Sequence, residues 1–292
     1  MQETGSKISL RHFIQDDSFR TEQSAAYNLF ILIDDFQLSC AVASHGDHVF
    51  LGLEDWTLKS QLKSITIDDL DACMHASNYL QHDGYRNVVC CIATGNPVFV
   101  PNALFDERSA FEHLKFTSGE QSLNSEFIDH LRRMDASAVF SVPSHLVKYL
   151  KSKFSNIVFH HAATPMVEYL LSSGKTGFGN RITVSIANER AGIFVTNGKN
   201  LELCNYFSFE SAEELVYYLV FICEQLHLNP DSAEVIFTGE IDSSSPAFNL
   251  ASKYIRQVSI ADRPGVCIFS DVFKEIPEGR HFNLFTQAVC VS

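Results

Sequence analysis

The chain has 292 residues, 46% of them hydrophobic and 20% charged, enough to bury the core of two modest domains or one large one and unlike a disordered segment. Its 35 acidic against 22 basic residues leave a formal charge of −13 with no dense Lys/Arg stripe, which argues against a nucleic-acid partner. No apolar run approaches the length of a membrane span and no basic-then-apolar leader opens "MQETGSKISLRHFIQDD", so a cytoplasmic protein without a transmembrane segment is expected.

Residues 1–27 read as an N-terminal extension. From Asn28 the pattern is strand, turn, strand, turn, strand: "LFILID" reverses at Asp35 into "QLSCAVA", and "SHGD" leads into "HVFLGLEDW". Gly46 is expected to supply the positive φ of that second turn. A helix follows, with Thr66 and Asp69 as a capping pair and Ile67, Leu70, Cys73, Met74, Ser77 and Leu80 at helical spacing. A buried strand, "NVVCCIATGN", then ends at Thr94-Gly95.

Residues from about 97 to 135 resemble an insertion, with a short "VFVP" strand, a helix near Ser109 to Leu114 and a polar loop "TSGEQSLNSE". Two strand-then-helix units come next, each with a proline, Pro143 or Pro165, where its helix begins. "SSGKTGFGN", residues 172–180, reads as a linker.

From Asn180 the first pattern repeats. "RITVSIA" turns at Asn188 into "RAGIFV", and "TNGK", with Gly198 at its tip, leads into "NLELCNYFSF". Ser211 and Glu214 form a capping-box pattern ahead of a helix whose Leu215, Val216, Leu219, Ile222 and Cys223 share one face. "AEVIFTGEI" then repeats the strand that ends in Thr-Gly, here Thr238-Gly239. The order β-β-β-α-β-α, used twice, predicts an α/β protein of two related domains, residues 28–175 and 180–292, with mixed sheets flanked by helices and a cleft between them.

That duplication resembles the actin-like ATPase (ribonuclease H-like) fold. Within that superfamily the segments "FILIDDFQLSCAVASHGDHVFLGLEDW", "DASAVFSVPSHLVKYLKSKFSNIVFHHAATPMVEYLLSSG" and "HFNLF" resemble a domain-of-unknown-function family of Bacteroidetes proteins. More distantly, the second half is similar to PilM and the L-type cytoplasmic proteins of pilus and type II secretion assembly, which act largely as scaffolds.

The resemblance implies where a nucleotide would sit. Active members use an Asp-x-Gly phosphate hairpin in each domain and a Gly-Gly turn against the adenosine, because glycine lets backbone N–H groups approach the phosphates while aspartate orients magnesium. Here Asp34 holds the first aspartate position but Phe36 stands in place of glycine. Ser185 and Ala187 replace the second aspartate and glycine. Gly239 matches the adenosine turn, and Glu240 replaces its second glycine. The implied site is a vestigial cleft, with Asp34 and Gly239 as its remaining cofactor-binding positions. Asp34 and Asp35 read either as Asx-type caps of a tight turn or as a retained magnesium site.

No residue is nominated as catalytic or as a metal ligand. "GKTG", Gly174 to Gly177, lacks the length of a phosphate loop. His160 and His161 are neighbours on a strand and face opposite ways. His45 and His48 belong to a hairpin tip, and Asp68, Asp69 and Asp71 suit a helix N-terminus. The eight cysteines contain no C-x-x-C and read as buried thiols.

The expected function is therefore a non-enzymatic actin-like scaffold or regulator that binds a protein partner or itself, with no cofactor. The alternatives are a divergent ATPase or kinase binding Mg-ATP, and a regulator that holds a small ligand in the old cleft. The 24 phenylalanines fill the core or form an interface.

Overall fold

The computed structural model of the protein describes residues 8–58, 65–118, 124–173 and 179–291. Gly174 to Gly177, most of the 172–180 linker and part of the polar loop lie outside these residues.

Strand β1 (Ile8–Gln15) comes from the N-terminal extension. The first meander is β2 (Tyr27–Ile33), β3 (Gln37–Ser44) and β4 (Val49–Leu58), followed by helix α1 (Ile67–Ala76) and β5 (Asn87–Ile92). The 97–135 region contributes β6 (Val98–Pro101), α2 (Glu112–Ser118) and β7 (Asn124–His130). Next come β8 (Ala136–Pro143), α3 (Ser144–Lys153), β9 (Ile157–His161) and α4 (Ala163–Ser173). The second half runs β10 (Asn180–Ala187), β11 (Arg190–Asn197), β12 (Asn200–Ser208), α5 (Ala212–Gln225), β13 (Glu234–Gly239), α6 (Pro246–Tyr254) and β14 (Gln257–Ile260). A two-residue β15 (Ile268–Phe269) and a short α7 (Phe282–Phe285) close the chain.

The duplication is visible in strand order. The first sheet contains the path β4-β3-β2-β5-β9 and the second is β12-β11-β10-β13-β14. In each, an antiparallel meander is extended by two parallel strands. Strand β1 adds to the first sheet beyond β4, β15 also pairs with β4, and β6, β8 and β7 make a separate three-stranded sheet.

Each sheet buries the faces expected from its periodicity. Leu70, Cys73 and Met74 of α1 and Leu146, Val147 and Leu150 of α3 pack on one side of the first sheet. Leu215, Val216, Leu219, Ile222 and Cys223 of α5 cover the second. The Thr66–Asp69 capping box forms as its sequence predicts, and the Ser211 hydroxyl accepts the Glu214 N–H.

Four local expectations change. Gly46 does not take the left-handed conformation; His48 does, at φ 49°. Helix α1 stops at Ala76, because the Ser77 hydroxyl turns inward to the buried Glu54 carboxylate, leaving Ser77 and Leu80 beyond the helix. The helix near Ser109 starts at Glu112 instead. Cys204, Cys267 and Cys290 are only half-buried where buried thiols were expected, although all eight cysteines are free. Cys90 and Cys91 point to opposite faces of β5, into separate clusters.

After β14 the chain returns to the first half. Phe273, Leu284, Phe285 and Ala288 join Phe30, Phe50 and Val89 in one buried cluster on the face opposite α1 and α3. Several phenylalanines therefore fill the core, with Phe50 in ring contact with Phe30, Phe269, Phe273 and Phe285. Among the described residues, no helix is long and apolar enough to cross a membrane.

Candidate functional site

The ends of β2, β10 and β13 meet the C-terminal segment around a cavity of about 40 Å³. Its walls include Asp34, Ser185, Ala187, Gly239 and Glu240, five of the six positions at which the sequence places a vestigial nucleotide site. Phe36 is not part of the lining. A cavity of this size has room for a few water molecules and falls well short of typical small-ligand pockets, which are on the order of 300–1,000 Å³.

In the first hairpin, Asp34 accepts the Phe36 N–H at 2.8 Å while its own N–H donates to the Gln37 carbonyl at 3.0 Å. This is the Asx-type turn, and none of residues 34–37 has a positive φ, so phenylalanine is tolerated where glycine was expected. Burial raises the Asp34 pKa to about 7; the Phe36 N–H opposes the shift, and the nearby Asp35 and Glu240 carboxylates add to it. Burial also raises Asp35, with Arg190 opposing.

In the second hairpin, Asn188 takes a left-handed φ of 51° and its N–H donates to Glu240 Oε2 at 3.1 Å. The same carboxylate pairs with Arg11 and lies 3.5 Å from the Arg280 guanidinium. Glu240 thus puts an anion between the second hairpin and two arginines.

Gly239 is required by the backbone. Its φ is +88°, a Cβ there would lie 2.1 Å from the Ile186 carbonyl oxygen, and its N–H donates to Gly279. Gly95, in the matching Thr-Gly pair, has φ +68°. The Gly95 carbonyl, that of Ala93 and the Asn96 side chain all accept from Arg190, whose guanidinium lies 4.5 Å over the Tyr206 ring. Arg190 therefore ties the start of β11 to the end of β5.

Beside the cavity lies a set of residues that the sequence reading did not assemble. Asp55, fully buried on β4, pairs across the sheet with Ser39 on one side and His12 on the other. The Ser39 hydroxyl donates to Asp55 Oδ1 at 2.9 Å, the Gln37 amide donates to the same oxygen, and His12 Nδ1 sits 3.3 Å from Oδ2. His281, in the wall of the cavity, puts its Nε2 3.9 Å from the same oxygen. Burial depresses the His281 pKa to about 4, with Asp55 opposing. The adjacent Glu54 and Asp55 were a readable signal: two acidic residues inside an apolar strand must face opposite ways, and both are buried.

His160 and His161 share a different partner. Asp129 of β7 lies 2.8 Å from His160 Nδ1 and accepts the His161 backbone N–H at 3.0 Å and the Thr164 hydroxyl at 2.5 Å. Asp69 belongs to its helix cap, and Asp71 accepts from the Tyr149 hydroxyl at 2.6 Å.

The family model described as "Protein of unknown function (DUF3822)" matches residues 16–258. No curated protein matches the chain. Among solved structures, a Bacteroides thetaiotaomicron protein described as having an actin-like ATPase fold and unknown function superposes with a TM-score of 0.79 at 19% identity, covering 93% of this chain and 99% of that one. A structure described as the PilM-PilN type IV pilus biogenesis complex superposes with a TM-score of 0.64 at 10% identity, covering 91% and 98%. The fold is therefore the actin-like ATPase fold, as the duplicated strand order anticipates.

Proposed function

The chain belongs to the DUF3822 family, and we propose that it is a non-enzymatic actin-like scaffold or regulator with a degenerate nucleotide cleft, binding a protein partner or another copy of itself. The observation that carries this reading is the position of Glu240. Its carboxylate accepts the second hairpin's N–H and engages Arg11 and Arg280, the groups an incoming phosphate would need. A bound nucleotide would have to displace this anion and leave it half-buried near Asp34. In the second hairpin Ser185 and Ala187 stand where the aspartate and glycine would be, so the carboxylate expected at that position for magnesium is missing.

The pilus structure that shares the fold is described as a complex of two proteins, which favours association as the use of this surface. A second reading, a divergent ATPase or kinase binding Mg-ATP, draws on the retained Asp34, on Arg280 in the cavity wall and on Arg11 beside Glu240.

Thermal melts with Mg-ATP, Mg-ADP and magnesium alone separate these readings. A ligand at a hundred times its Kd adds about 2.7 kcal/mol of stability, a resolvable shift. The scaffold reading expects no nucleotide-specific shift, together with concentration-dependent association in sedimentation velocity or stable capture of a partner. A nucleotide-specific rise in Tm overturns the degenerate-cleft reading.

A further inference from the structure

We propose that His12, Asp55 and His281 form a binding site for one divalent first-row metal ion, with Zn²⁺ as the cation that suits the donor set. One ligand atom from each residue lies within 4.8 Å of the other two. Two imidazoles and one carboxylate, with a fourth position left open, are a ligand set used for zinc.

Three features of the chain bring these groups together. Strand β1 carries a bulge between Leu10 and His12, which breaks the alternation of faces so that Arg11 and His12 both reach Asp55. Asp55 has its Oδ1 held by Gln37 and Ser39, which leaves Oδ2 as the atom that both histidines approach. His281 has φ 55°, and its carbonyl caps the first turn of α7 by accepting from Leu284 and Phe285. That conformation aims the ring inward.

The second observation is chemical. His281 has only 4% of its side chain exposed, and its Nε2 has no hydrogen-bond partner, an expensive state for a buried polar atom. Asp55 Oδ2 is 3.9 Å away, too far for a hydrogen bond. Tetrahedral ligands at zinc bond lengths stand roughly 3.3 Å apart. His12 and Asp55 already have that separation, at 3.3 Å; His281 must approach Asp55 by roughly 0.6 Å, and the two imidazoles, whose ligand atoms lie within 4.8 Å of each other, must close by up to roughly 1.5 Å. His281 also lines the cavity, which puts the site at the cavity wall.

Arg11 is the competing cation, with its Nε 3.7 Å from Asp55 Oδ2, and its ion pair with Glu240 draws the guanidinium away from that oxygen. None of the three ligands belongs to the phosphate or adenosine positions, so metal uptake can be measured apart from nucleotide binding.

The test is titration of Zn²⁺ into the EDTA-stripped full chain in competition with a chromogenic chelator, with Co²⁺ absorption as a second readout. The expected result is one tight equivalent, weakened at least about ten-fold by His12→Gln and by His281→Gln. His75→Gln, an exposed histidine of α1, should leave it unchanged. If His281→Gln does not fold, His12→Gln decides, since His12 is 32% exposed. Absence of stoichiometric uptake, or uptake that His12→Gln leaves intact, overturns the proposal.

Discussion

The Asn188 N–H donates to the Glu240 carboxylate at 3.1 Å, so the turn of the second hairpin binds an anion that the chain itself supplies. Glu240→Ala should therefore free this N–H together with Arg11 and Arg280. Leaving two half-buried guanidiniums without their partner should cost on the order of 1–3 kcal/mol in urea unfolding. The variant should also show a larger rise in Tm with inorganic phosphate or sulfate, at constant ionic strength, than the natural chain. Equal responses of the two proteins would show that Glu240 does not occupy an anion position.

Asp34 should make stability pH-dependent in a particular direction. Its pKa is about 7 in the folded chain, raised chiefly by burial, against 3.8 as its ordinary value. Between those values the folded state holds the proton and the unfolded state releases it, so this group's contribution is complete below pH 4 and fades as pH rises through 7. Asp34→Asn should abolish that slope and be more stable than the natural chain at pH 8, by on the order of 1 kcal/mol once partial solvent contact is allowed for. A series of melts from pH 5 to 8 tests this; parallel curves for the two proteins would contradict it.

Two glycines with positive φ should respond differently to alanine. At Gly198 a Cβ meets nothing within 4 Å, so Gly198→Ala should cost only the left-handed backbone penalty, about 1 kcal/mol. At Gly239 the Cβ would collide with the Ile186 carbonyl, and Gly239→Ala should cost about 3 kcal/mol or more. Urea midpoints that fail to separate the two would remove the close-approach explanation for Gly239.

Arg190→Ala should loosen the join between the halves. It removes hydrogen bonds to the Ala93 and Gly95 carbonyls and the stacking over Tyr206, a loss of about 2 kcal/mol. Arg190→Lys should not restore it, because an ammonium cannot reproduce the planar fork. The readout is unfolding free energy together with hydrogen exchange at Ala93 to Asn96; full rescue by lysine would reduce Arg190 to a point charge.

The duplicated strand order was legible because it rests on local signals. Alternating apolar strands, tight turns at Asp35 and Asn188 and the two capped helices each act over a few residues, and the paired Thr-Gly ends marked the repeat. The Asx turn at Asp34 was legible for the same reason. Gly46 misled because a turn tip offers more than one residue the left-handed conformation, and the backbone there gave it to His48. Helix α1 ended early because a distant carboxylate, Glu54, captured Ser77.

By itself, the sequence determined the chemical types in the cleft: a carboxylate at Asp34, no carboxylate at Ser185, and a carboxylate in place of glycine at Glu240. Only the tertiary structure decided what those groups face. Arg11 and His12 arrive on the edge strand of the first sheet, while Arg280 and His281 arrive with the segment that returns to that sheet from the far end of the chain. Pairings of this kind are set by sheet register, a bulge and the burial of Phe273, Leu284 and Phe285, which fix side chains across large sequence separations where local propensity carries no information.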